Sequence, residues 1–310
     1  MSNRLSKTLR LVLPCSALLV FAACENERPP VLSDVDTGTF TPPQLNVQPG
    51  VLLFENAPIT PGGPMTLVWS DEFDGAQLDP ATWLKQTGDG TAEGIPGWGN
   101  NELQYYQEDN AQLVNGMLVI EAREESVGGL NYTSARITTQ DRVALRYGRI
   151  EASIRLPGGQ GLWPAFWMLS QDSPYGSWAA TGEVDIMEAD NLGVGGKNDV
   201  FLTLHYGGES PDNRFSSEVH NVVGSATDEF HEYAIEWDPS EFRWYIDGEL
   251  KRTEDSWFSS AAPYPAPFDQ AFHILLNVAV GGNVPGPPDA TTVFPVTMEV
   301  DYVRVYSGGP

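Results

Sequence analysis

From Leu67 onward, apolar and polar residues trade places along much of the chain. Arg149 to Leu156 alternates at every step. Phe272, Ile274, Leu276, Val278 and Val280 form a one-sided set, as do Tyr233, Ile235 and Trp237. A period of two sends successive side chains to opposite faces, so each run predicts a β-strand with a buried face. Phe242, Trp244 and Ile246 lead into Asp247-Gly248, a pair that favours a tight hairpin. Helical periodicity is nearly absent, and short strands with abundant glycine predict an all-β sandwich.

One passage of this alternation is chemically costly. In Gly182-Glu183-Val184-Asp185-Ile186-Met187-Glu188, period two puts Glu183 and Asp185 on one face and Val184 and Ile186 on the other. Glu188 lies five positions after Glu183, so a regular strand would turn it away. One extra residue, Ile186 or Met187, restores the face, and a β-bulge inserts such a residue. Clustered acids raise each other's pKa, so a half-buried strand carries three of them for a reason. Glycosidic hydrolysis is one reason, since it needs a carboxylate and a carboxylic acid across the bond. A Ca²⁺ site or a solvated acidic edge accounts for the passage equally well on these residues alone.

Other segments decide between them. The acidic run resembles the signature E-[IV]-D-[IV]-x-E of the bulged subgroup of glycoside hydrolase family 16. Gly97 to Tyr106 (GWGNNELQYY), Tyr132 to Ile137 (YTSARI) and Leu156 to Leu169 (LPGGQGLWPAFWML) resemble its laminarinase-like members. So do Leu204 to Gly208, Phe268 to Gly282 and Val300 to Tyr306. The similarity runs in order over roughly residues 66–307. It implies a β-jelly-roll sandwich of the concanavalin A-like kind: two curved antiparallel sheets with a concave substrate cleft.

The resemblance also implies roles. Glu183 becomes the nucleophile and Glu188 the acid/base, with Asp185 assisting between them. Trp163 and Trp167, four apart and so on one face of a strand, become stacking surfaces for sugar, although a core role suits either. Asn100, Arg136 and Asn277 match positions that hold sugar hydroxyls; a turn amide, a surface ion pair and a satisfied core amide are their ordinary explanations. His205, in the alternating run Phe201 to Tyr206, matches a cleft histidine. No cofactor is implied for catalysis, and His220, His231 and His273 lack metal-ligand spacing. A structural Ca²⁺ maps to Glu72, Gly116 and Asp301, where oxygen ligands suit calcium and surface acids are the plain alternative.

The implied activity is endo-acting, retaining hydrolysis of β-1,3-glucan. Mixed-linkage β-glucan or galactan hydrolysis is the alternative within the fold, and a non-catalytic glucan-binding protein the alternative outside enzymes. Two departures concern aromatic subsites. Ala189-Asp190-Asn191 follows Glu188 where relatives carry an aromatic residue, and Glu209-Ser210-Pro211 stands where many carry Trp-Pro.

Composition adds compartment and partners. Residues 1–23 read as a secretory signal, with Arg4, Lys7 and Arg10 before an apolar run too short to span a bilayer. Phe21-Ala22-Ala23-Cys24 resembles a bacterial lipobox, making Cys24 the lipid carrier of an exported, envelope-bound lipoprotein. Residues 24–63, rich in proline, read as a tether, leaving 64–310 as the catalytic domain. The only other cysteine, Cys15, lies in the signal, so the domain has no disulfide. The chain carries 42 acidic residues against 17 basic ones, three of the latter in the signal. That charge repels phosphate backbones, which argues against nucleic acid and suits a neutral polymer. A monomer touching the membrane through its lipid alone is expected.

Overall fold

The computed structural model describes residues 50–308; the signal, Cys24 and most of the proline-rich segment lie outside them. The described chain forms two large sheets. The first is ordered Leu52–Glu55, Val143–Arg146, Phe272–Val280, Leu162–Ser170, Glu183–Glu188, Asp199–Gly207, Asn213–Asn221. The second is ordered Glu249–Glu254, Phe242–Ile246, His231–Trp237, Gly148–Arg155, Val296–Gly308, Met117–Ala122, Ala111–Val114. Neighbours along both orders are antiparallel apart from the first pair, Leu52–Glu55 with Val143–Arg146. This is the expected jelly roll.

The alternating runs bury their apolar faces between the sheets. Val184, Leu202, Leu204, Ile274 and Leu276 meet Ile150, Ile235, Trp237 and Trp244 in one core. Aromatic rings dominate its centre: Phe242 stacks on Trp237 at 5.9 Å and meets Phe268 edge-on at 5.0 Å. Each such ring, fully buried, contributes roughly 1.5–3 kcal/mol. Burial on this scale stands in for the absent disulfide. The indole of Trp244 also donates to the backbone carbonyl of Asp185 at 3.0 Å, tying the second sheet to the acidic strand. The hairpin forms as expected, with Asp247 and Gly248 both at positive φ.

Phe272–Val280 departs from its one-sided pattern, because all nine residues are buried. Its second face carries His273 and Asn277, which belong to the site described below.

Residues 52–59, placed in the tether by the expected boundary at residue 64, pack on the domain. Leu52–Glu55 adds a parallel strand to Val143–Arg146. Ile59 is buried, its carbonyl accepts Arg243 Nη2 at 2.8 Å, and the Gly308 amide donates to Ala57 at 2.9 Å. The short apolar run Val51 to Phe54 contrasts with its proline-rich surroundings, and its backbone finds an open sheet edge.

Candidate active site

Glu183–Glu188 lies between Leu162–Ser170 and Asp199–Gly207. Against the first neighbour, Asp185 pairs with Trp167 and Met187 with Phe166, leaving Ile186 as the extra residue. Ile186 and Met187 are consecutive yet both enter the core. That bulge turns Glu188 back to the face of Glu183 and Asp185. The strand is entered through Gly182, at φ +80°, where a Cβ would sit 2.8 Å from the Phe268 ring. Only glycine fits that approach.

Each acid has a distinct environment. Glu183 accepts a hydrogen bond from Trp178 Nε1 at 2.9 Å and lies 3.5 Å from His205 Nε2. Asp185, 1% exposed, faces the same nitrogen at 3.4 Å. Glu188 accepts from Trp163 Nε1 at 3.0 Å. Burial first, and then the Asp185 charge, pushes the Glu183 carboxyl up to about 7, with His205 and Trp178 pulling the other way. The same two causes, joined by the Glu183 charge, raise Glu188 well above the usual carboxylate range. Burial depresses the His205 imidazole, but Glu183, Asp185 and Glu188 outweigh it and hold the ring at about 9. At neutral pH His205 is a cation among acids, and burial with its neighbours biases Glu188 toward its protonated form.

Register extends the site across the sheet. Glu188 lies opposite Ala165, then Asn277, then Arg136. Ala165 leaves space beside the acid that a larger residue would fill. The Arg136 guanidinium is buried and sandwiched, 4.7 Å from the rings of both Trp98 and Trp167. Its Nε donates to Gln86 at 2.6 Å. A desolvated cation–π contact is worth about 2 kcal/mol, so the sandwich stiffens both indoles.

The structure therefore gathers Glu183, Asp185, Glu188, Arg136, Trp163, Trp167, His205 and Asn277 on one side of one sheet. Trp163 and Trp167 are half-buried rather than core. Trp167 gives its N–H to Asn277 Oδ1 at 2.7 Å, and Asn277 Nδ2 donates to the Tyr106 hydroxyl at 3.2 Å. Asn100 lies nearby, its carbonyl accepting the Asn283 amide at 2.8 Å. The sequence reading passed over Glu102, Tyr106 and Trp178. Glu102 is buried and accepts from Gln104 and Tyr106 at 2.7 and 3.1 Å. A charged residue inside GWGNNELQYY was its signal. Trp178 had none, because a loop delivers it: Glu209 accepts the Ser177 amide at 2.7 Å and Ser210 donates to the Trp178 carbonyl at 3.0 Å. The departure at Glu209-Ser210 thus pins the loop that carries Trp178.

Among the described residues, Glu183, Asp185 and His205 are the three metal-capable side chains whose ligand atoms converge, within 4.8 Å. Glu72, Gly116 and Asp301 lie elsewhere, around the strand Val296–Gly308. Asp71 pairs with Val303 and Leu118 with Val300 on the same flank of that strand, the other flank being taken by Gly148–Arg155, so the ends of the strands carrying Glu72 and Gly116 come to the level of Asp301. Asp301 is exposed there, at a break in pairing with Gly148–Arg155. Both carboxylate oxygens of Glu72 are taken by Arg304, at 2.9 and 2.7 Å. The backbone carbonyl is then the oxygen that Glu72 could offer an ion.

Residues 98–304 match the model of Glycosyl hydrolases family 16. The chain is 42% identical over 256 residues to a Beta-glucanase of Rhodothermus marinus, covering 77% of this chain and 84% of that protein. It is 41% identical over 261 residues to Glucan endo-1,3-beta-glucosidase A1 of Niallia circulans, covering 78% of this chain but only 38% of that longer protein. Among solved structures it resembles the catalytic domain of an endo-1,3-beta-glucanase (laminarinase) from Thermotoga petrophila RKU-1. The TM-score is 0.72 at 40% identity, covering 80% of this chain and 100% of that one.

Proposed function

The chain belongs to glycosyl hydrolase family 16, and on that premise we propose that it cleaves β-1,3-glucan internally by double displacement, retaining anomeric configuration. The observation that carries the reading is Glu183 and Glu188 on one face, with the His205 imidazole 3.5 Å from Glu183. Glu183 has a cation and an indole N–H that favour its ionised form. Glu188 sits among carboxylates that favour its protonated form.

In the first step the Glu183 carboxylate attacks the anomeric carbon as Glu188 protonates the departing glycosidic oxygen, leaving a glycosyl ester on Glu183. Ester formation removes the Glu183 charge, one of the causes that kept Glu188 protonated. Glu188 is then ionised and takes a proton from water, whose oxygen attacks the anomeric carbon and frees Glu183. Asp185 keeps the His205 cation beside the nucleophile. The ~5–5.5 Å separation of a retaining pair is the geometric requirement. The bulged strand and the laminarinase names of the relatives support β-1,3-glucan over mixed linkages and galactans.

The same proposal includes a structural Ca²⁺ held by Asp301 and the backbone oxygens of Gly116 and Glu72. It also includes export, a lipid on Cys24 as the sole membrane contact, and a monomeric enzyme.

Proton NMR of early laminarin products tests the mechanism: the β-anomer is expected first. Initial α-anomer would exclude double displacement. Comparing turnover on laminarin, lichenan and agarose tests the substrate, with laminarin expected to be cleaved fastest.

A further inference from the structure

We propose that Phe215 is a sugar-stacking platform, a distal subsite that extends the cleft across the edge strand Asn213–Asn221. The inference rests on the glucan-cleaving reading above and names a specificity-determining residue for it. Glu183 pairs with His205, and His205 pairs with Phe215, so the three stand in one line across three strands. Directly opposed residues share a face, so Phe215 faces the same side as the acids. Two strand spacings put it about 10 Å from Glu183.

The Phe215 ring rests against His205, centroids 5.9 Å apart, while Trp178 rests against His205 at 5.6 Å. Trp178 and Phe215 are nonetheless 41% and 63% exposed. A row of flat rings therefore leads from the nucleophile to the sheet edge with its outer end open. A parallel row supplies hydroxyls: Asp185 lies opposite Thr203, and Thr203 opposite Ser217, the two hydroxyls 2.8 Å apart. Sugar presents both chemistries, an apolar ring face for an aromatic and hydroxyls for polar neighbours. An exposed aromatic beside the exposed hydroxyl of Ser217, which the buried Thr203 holds in place, fits the next units of the same glucan chain. The placement also answers the missing Trp-Pro pair: an aromatic surface is presented from the strand after that turn.

The test compares Phe215→Ala and Phe215→Trp with the parent on laminarihexaose and on an aryl laminaribioside too short to span the site. Phe215→Ala is expected to lose about tenfold more kcat/KM on the hexaose than on the bioside, and Phe215→Trp to restore most of it. Equal losses on both substrates, or none, would overturn the proposal. Affinity electrophoresis in soluble β-glucan, in the Glu183→Gln background, reads binding apart from cleavage. Retardation by β-1,3-glucan should weaken on adding Phe215→Ala; unchanged retardation, or none in the parent, would also overturn it. A wild type that is retarded by β-1,3-glucan but never cleaves it would sink the hydrolytic reading, while Phe215 still stood or fell on its own mobility shift.

Discussion

His205 shows how one side chain sets the working range of this site. It lies 3.5 Å from Glu183 and 3.4 Å from Asp185, and their charges hold it protonated up to about 9. Its own charge lowers Glu183, whose carboxyl titrates at about 7. The nucleophile must be ionised, so kcat/KM on laminarin is expected to fall as pH drops through about 7. Glu188 must be protonated, and burial with the neighbouring carboxylates moves the alkaline limb upward. His205→Gln removes a positive charge, so the acid limb should move to higher pH; a limb that stays put or moves down would contradict the electrostatic role. Stability responds separately. A histidine raised from 6.5 to about 9 contributes stability fully present below about 6.5 and lost as pH rises through about 9. The melting temperature of wild type should therefore approach that of His205→Gln as pH passes 9. The three acids and His205 were legible as residues, but the indole on Glu183 was not, because Trp178 arrives on a loop with no periodicity.

The bulge is the element on which the geometry turns. Ile186 is the residue left over between the Asp185–Trp167 and Met187–Phe166 pairs, and it is fully buried. Deleting it leaves Glu-Val-Asp-Met-Glu, a regular strand that keeps the acids on one face but loses the kink and shifts the following register by one. Displacements of about 1 Å cost roughly 100-fold in rate, and the lost core side chain costs about 2–5 kcal/mol. The deletion variant is expected to fold, by circular dichroism, with a lower melting temperature and roughly 100-fold less laminarin turnover. A folded deletion with wild-type turnover would show that the bulge does not place Glu188. The need for one extra residue was readable from the five-position spacing, but the choice of Ile186 over Met187 depends on two neighbouring strands.

At the scale of the whole molecule, residues 52–59 are part of the fold. Leu52–Glu55 closes a sheet edge, and Ile59 caps the Arg243 guanidinium. A chain that starts at residue 51 is the reference for the melting temperature. Removing residues up to 63 exposes that edge and leaves Arg243 short of an acceptor, a loss of about 2–3 kcal/mol. For a domain of this size that lowers melting by roughly 5–10 °C. Calorimetry on the two truncations checks it, and equal melting temperatures would return the segment to the status of a tether. Calcium belongs at this scale too. If the ion binds at Asp301, Gly116 and Glu72, millimolar Ca²⁺ should raise melting above that in excess chelator with little change in turnover, by preferential binding to the folded state. Equal melting in both would remove the ion from the proposal.

Period-two alternation in local segments determined the all-β class and the shared face of Glu183 and Asp185, whereas Glu188 joins them only through the bulge set by strand pairing. Both properties depend only on how side chains project from a strand, which neighbours in sequence dictate. Strand order and register required the folded chain. They decided that His205 and Phe215 line up with Glu183, that Trp178 reaches the nucleophile, and that Arg136 lies between two indoles. These contacts join residues far apart in sequence, and their geometry comes from sheet pairing and loop packing, which no local pattern encodes.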